Sequence, residues 1–125
     1  MEYFIIGIGG FLGANARYIV GDWIMRQGDS AFPWGTFVIN ISGSFLLGIL
    51  MATLNTRPFV SSNYRLFFAV GFLGAYTTFS TFSYETLCLA QDQSLLAALL
   101  NIFGSVLLGL LGVIAGVWVG RFFAV

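Results

Sequence analysis

Histidine and lysine are absent from this chain of 125 residues, and cysteine occurs once, as Cys88. Without histidine, no serine or cysteine has the usual imidazole base beside it, and a lone thiol makes neither an internal disulfide nor a zinc site. Charge is scarce too: charged residues are 8% of the chain and the formal net charge is zero. Nothing here offers the basic face that nucleic acid requires, so no nucleic-acid partner is expected. The carboxylates Glu2, Asp22, Asp29, Glu85 and Asp92 are scattered near ends and loops, at spacings that suit neither an acid–base pair nor a hard-metal cage. The expectation is that the chain is not an enzyme.

What fills the space is apolar. Hydrophobic residues make up 58% of the chain, and mean hydropathy is +0.93. Four long apolar stretches cover about 3–25, 34–55, 66–89 and 95–120. Each comes close to or exceeds the roughly 20 residues that carry a helix across the hydrocarbon core. The linkers 26–33, 56–64 and 91–94 are short. The fold class expected is an all-α integral membrane protein: one four-helix transmembrane domain over 1–125, multi-pass, in a cell membrane. Met1-Glu2 has no basic n-region and no small-residue cleavage pattern follows, so no cleaved leader is expected. An even number of spans puts both termini on one side. Arg57, Arg65 and Arg121 then flank that side against Arg26, joined by Arg17 if it snorkels that way, a feeble positive-inside bias. Fixed topology and insertion both ways round remain equally open on charge alone.

Three of the four stretches carry a stripe at a spacing of four, which is one face of a helix. In the first the stripe is Gly9, Gly13, Arg17 and Gly21. The glycines suit close helix packing. Arg17 is either a snorkelling side chain or an attractor of anions, with Asp22 a candidate partner at a gap of five, off the best helical pairing distance. The second stretch carries Thr36, Asn40, Ser44 and Gly48. This reads as a buried polar seam, in which the amide of Asn40 serves either as interhelical glue or as an anion ligand. The fourth carries Asn101, Ser105 and Gly109, then the ladder Gly112, Gly116, Gly120. Ser105 lines a pathway or bonds back to its own helix.

The third stretch is the most informative. Gly71, Gly74 and the pair Thr77-Thr78 disfavour a continuous helix, so a break near the bilayer midplane is predicted. Hydrocarbon does not tolerate loose polar backbone, so such a break belongs where protein or a pore satisfies it. Broken helices commonly hold cations on freed carbonyls. Beyond the break, Phe79 and Phe82 share a face, with the hydroxyls of Ser80, Thr81 and Ser83 around them. An aromatic ring has a positive edge, which accompanies an anion without a full charge.

Three strings resemble the Fluc, or CrcB, family of fluoride channels, and the likeness covers nearly the whole chain. They are Gly9-Gly10-Phe-Leu-Gly13-Ala14-Asn-Ala-Arg17-Tyr18; Gly35-Thr36-Phe-Val-Ile-Asn40 followed by Gly43-Ser44-Phe45; and Thr77-Thr78-Phe79-Ser80-Thr81-Phe82-Ser83 with Glu85. The last is very specific. Ala75 and Ile39 depart from commoner glycine and valine, and neither is a proposed ligand. The resemblance implies an antiparallel, dual-topology homodimer in the bacterial inner membrane, exporting fluoride passively through two pores. It implies a pore lined by Phe79, Phe82, Asn40, Thr36, Ser80, Thr81 and Ser105, with Arg17 and Glu85 towards its vestibule. It also implies a structural sodium ion (Na+) on the dimer axis, held by the carbonyls of Gly74 and Thr77 from each chain. The partners implied are the fluoride ion, a second copy of the chain and the lipid bilayer. Two other functions fit the composition: a small dual-topology exporter that exchanges protons for organic cations, with Glu85 as its carboxylate, and a non-transporting scaffold subunit.

Overall fold

The computed structural model describes residues 1–28, 30–56 and 62–123, and all regular structure among them is helical. The first helix is Glu2–Met25, the second Trp34–Thr56 and the fourth Leu95–Phe122; the third span, Ser62–Gln93, is in two limbs. All four are long and apolar enough to cross a membrane. At 1.5 Å per residue the shortest reaches about 35 Å, more than the hydrocarbon core of a bilayer. The chain is a multi-pass membrane protein. Arg57 and most of the loop predicted at 56–64 lie outside the described residues, as does Asp29.

The third span is longer than the 66–89 expected, because both ends continue as wider π turns. Residues Arg65–Leu73 and Leu89–Gln93 are π-helical. The linker expected at 91–94 therefore shrinks to Ser94, extended at φ −164° and ψ 150°. Its hydroxyl accepts the N–H of Ala97 at 3.1 Å and so caps the fourth helix as it starts.

The break falls at Thr77 (φ −79°, ψ 159°) and Thr78 (φ −150°, ψ 124°), after which the helix resumes at Phe79. β-Branched residues take extended backbone readily. The hydroxyl of Thr78 accepts the N–H of Thr81 at 3.3 Å and caps the second limb. The glycines expected to share in the break do not: Gly74 is helical at φ −63° and ψ −33°, and Gly71 is buried against the first helix. Only the threonines interrupt the helix.

Glycine instead sets how closely helices approach. A Cβ on Gly9 would strike the carbonyl of Phe67, and one on Gly13 the carbonyl of Phe72. Those carbonyls are five residues apart on a π-helical limb, whose turns close i to i+5, and they face glycines four apart on an α-helix. The fourth helix uses the same device. Gly112, Gly116 and Gly120 rest on the backbone of the second helix at Ile41, Phe45 and Ile49. The packing reading of both ladders is correct.

Little of the molecule is core. Ile39, Leu73 and Tyr76 form the buried cluster, with Ala16, Val20 and Phe72 against it. Many large apolar side chains of the first and fourth helices are exposed, from Tyr3 and Phe11 to Phe103 and Trp118. Such faces suit lipid or another copy of the chain.

Candidate functional site

The break is held by one side chain from the second helix. The amide nitrogen of Asn40 donates to the carbonyl of Thr78 at 3.0 Å, and the N–H of Thr78 donates to Asn40 Oδ1 at 2.8 Å. The amide thus satisfies both backbone groups of the residue at which the helix is most extended, which apolar surroundings demand. A consequence follows for Gly74. The N–H of Thr78 would close the next helical turn onto its carbonyl, but that N–H is taken by Asn40. The N–H and the hydroxyl of Thr77 both go to the carbonyl of Leu73, at 3.1 and 3.0 Å.

Two cavities meet at this clasp. The smaller, about 340 Å³, is lined by Asn40, Phe79, Phe82, Ser105, Gly74 and Thr77 among others. The rings of Phe79 and Phe82 lie 5.9 Å apart, tilted by 41°. Phe79 is 80% exposed in the single chain, so this cavity is open on one side. The larger, about 650 Å³, is lined by Arg17, Asp22, Thr36, Thr81, Glu85 and Asp92 among others. Thr78 lines both and forms the partition.

The residues picked out by sequence therefore fall into two groups. Asn40, Phe79, Phe82 and Ser105 come together with Gly74 and Thr77; Arg17, Thr36, Thr81 and Glu85 come together on the other side of Thr78. Ser80 is exposed and lines neither cavity. The polar stripe of the second helix does not act as one seam. Thr36 donates its hydroxyl to Glu85 Oε1 at 2.9 Å, whereas Ser44 bonds back to the carbonyl of Asn40 at 2.7 Å. Glu85 Oε2 is buried with no hydrogen-bond partner among the described residues. The pairing of Arg17 with Asp22 is not found. Asp22 is taken by Arg26 at 2.8 Å, one helical turn on, where the i, i+4 geometry is better. Arg17 faces the larger cavity without a carboxylate partner among the described residues.

Sequence reasoning missed a third feature. Asn101 is 1% exposed, and its amide donates to the hydroxyl of Thr86 at 2.8 Å. The signal was present, since Asn101 begins the polar stripe of the fourth helix, but nothing in the stripe shows that its partner is on the third span. Chemically the arrangement offers hydroxyls, amides, ring edges and the carbonyl of Gly74, which has lost its helical donor. Among the described residues no group of three or more His, Cys, Asp or Glu side chains could hold a metal ion. Such neutral groups replace the hydration of an ion rather than cut bonds.

Known proteins resemble this chain over nearly its whole length. The family model described as CrcB-like protein, Camphor Resistance (CrcB), matches residues 4–117. The chain is 47% identical over 121 residues to "Fluoride-specific ion channel FluC 2" of Clostridium acetobutylicum, covering 97% of this chain and 99% of the relative. It is 47% identical over 121 residues to "Fluoride-specific ion channel FluC" of Acidobacterium capsulatum, covering 97% of each. The protein of that name from Hydrogenovibrio crunogenus is 44% identical over 123 residues, covering 98% of this chain and 93% of the relative.

Proposed function

This chain belongs to the CrcB-like family, and from that premise we propose that it is a fluoride-selective channel for passive export across the bacterial inner membrane. The observation that carries the proposal is the company kept by Asn40, Phe79, Phe82 and Ser105. An amide, two rings and a hydroxyl line one cavity, directly beside a helix break that the amide itself clasps.

Fluoride is small and strongly hydrated, so a narrow path strips its water at large cost. Uncharged donors and ring edges must replace that water without holding the ion, because conduction needs binding weak enough for exit. Arg17, on the larger cavity, draws the anion towards the partition at Thr78. On that side Thr81 accepts from the hydroxyl of Thr78 and so keeps its own hydrogen for the anion, while Thr36 gives its hydrogen to Glu85 at 2.9 Å and acts by fixing that carboxylate. Beyond the partition, Phe79 and Phe82 accompany the ion with their ring edges while Ser105 offers its hydroxyl. Ser80, exposed and outside both cavities in the single chain, would join these hydroxyls only where a second copy closes the path.

Function in this reading requires a second copy of the chain, inverted beside the first, so that the assembly has two pores. The open side of the smaller cavity and the high exposure of Phe79 support this. A hard cation such as sodium fits the same region. The carbonyl of Gly74 lacks its helical partner and Thr77 is extended, so both offer the oxygen ligands that such an ion takes. Gly74 and Thr77 of two chains would hold it, and its charge would brace the broken helices.

The test is fluoride efflux from liposomes containing purified protein, read with a fluoride electrode. Rapid efflux with little chloride loss is the expected result. No efflux, or equal passage of chloride, defeats the proposal.

A further inference from the structure

A part-buried chain of hydrogen bonds links the fourth helix to the third span. Ser105 Oγ lies 3.4 Å from Asn101 Oδ1; Asn101 Nδ2 donates to Thr86 Oγ1 at 2.8 Å; and Thr86 Oγ1 donates to the carbonyl of Phe82 at 2.7 Å. Both ends of this chain, Ser105 and Phe82, line the smaller cavity, whereas Asn101 and Thr86 do not. Asn101, in the middle, is the most deeply buried polar residue described.

The direction of every bond is determined. The hydroxyl of Thr86 spends its one hydrogen on the carbonyl of Phe82, so it can only accept from Asn101. The amide must therefore turn its nitrogen to Thr86 and its oxygen to Ser105, and Ser105 must be the donor there. The two bonds nearest Phe82 are short. The one at Ser105 is stretched well beyond the 2.7–2.8 Å or so usual for a hydroxyl donor, and is correspondingly weak.

We infer that Asn101 is a positioning residue of the ion path. It holds the backbone at Phe82 firmly and gives the hydroxyl of Ser105 a resting acceptor that it leaves easily. The strong side keeps the aromatic residue in register with the fourth helix. The weak side lets Ser105 turn its hydrogen to a passing anion and return it afterwards. This inference rests on the fluoride-channel reading of the same cavity and adds two residues, Asn101 and Thr86, that touch no ion.

The experiment compares Asn101→Leu, Thr86→Val and Thr86→Ser in proteoliposomes, reading fluoride flux and the fluoride-to-chloride ratio, with chromatographic size as the check on assembly. Leaving a buried polar partner unmatched predicts a loss of about tenfold or more in fluoride flux for Asn101→Leu and for Thr86→Val. The fluoride-to-chloride ratio falls with it, a readout that looser packing alone does not move. Thr86→Ser keeps the hydroxyl and restores both. Because the residues act as one chain, Asn101→Leu with Thr86→Val is no worse than either alone. If Asn101→Leu fails to assemble, the contrast between Thr86→Val and Thr86→Ser decides. Wild-type flux with both Asn101→Leu and Thr86→Val within about twofold of it overturns this inference alone. A wild-type protein without fluoride flux overturns the channel reading, and this inference with it.

Discussion

Removing the side chain that clasps the helix break is the sharpest perturbation available. Asn40→Ala deletes both hydrogen bonds to Thr78, at 3.0 and 2.8 Å, and leaves the N–H of Thr78 without its partner in the wall between two cavities. The carbonyl, at the N-cap of the second limb, keeps the first helical bond of that limb. An orphaned backbone group costs about 1–3 kcal/mol when sealed from water. Asn40 is only half-buried and borders a cavity of about 340 Å³, so water reaches the orphaned N–H and the low end applies. One group at about 1 kcal/mol corresponds to roughly fivefold in a conducting population that depends on the shape of the break. Asn40→Asp tests the same geometry differently. It keeps an acceptor for the N–H of Thr78, sets a carboxylate oxygen against the carbonyl, and adds a negative charge where an anion must pass. Its flux is expected to fall below that of Asn40→Ala. The assay is electrode-measured fluoride efflux, with chromatography to confirm that the protein is assembled. Asn40→Ala at half the wild-type flux or more, or Asn40→Asp conducting like wild type, refutes the reasoning.

Other outcomes follow from the same geometry. Phe79→Ile and Phe82→Ile remove ring edges while keeping apolar bulk, so fluoride efflux falls sharply while the assembled species on chromatography is unchanged. Thr36→Val strips Glu85 of its 2.9 Å hydrogen bond; fluoride flux decreases, and Thr36→Ser restores it. Gly116→Leu drives a side chain into the carbonyl of Phe45 and lowers thermal stability in detergent by about 1–3 kcal/mol, whereas Gly7→Ala, with nothing within 4 Å of the added Cβ, melts like wild type.

Much of this architecture is legible in the sequence because the bilayer allows few solutions. Long uncharged stretches have little choice but to be spanning helices, and glycines every fourth residue mark where backbones touch. The break was legible as well, and its cause in part: the Thr77-Thr78 pair interrupts the span, whereas the glycines named with it do not. Glycine is a weak helix former in water; here Gly71 lies against the first helix and Gly74 stays helical, so the adjacent threonines alone interrupt the span. The π turns were not legible, since an added residue per turn leaves no mark in composition. Nor were the polar partnerships. Asn40 bonds Thr78 and Thr36 bonds Glu85, pairs separated by 38 and 49 residues, and no periodicity within one helix encodes them. Asn101 was visible as a stripe residue, yet its link to Phe82 runs through Thr86, on another span. At Asp22 local spacing already told against Arg17, five residues away, and Arg26 takes the carboxylate from the better i, i+4 position.

The most direct measurement of the central claim is the reversal potential of reconstituted protein in a planar bilayer under opposed fluoride and chloride gradients. A path built from uncharged donors and ring edges for fluoride predicts a potential that follows the fluoride gradient and ignores chloride. A potential that tracks chloride, or moves with proton or organic-cation gradients, contradicts the account.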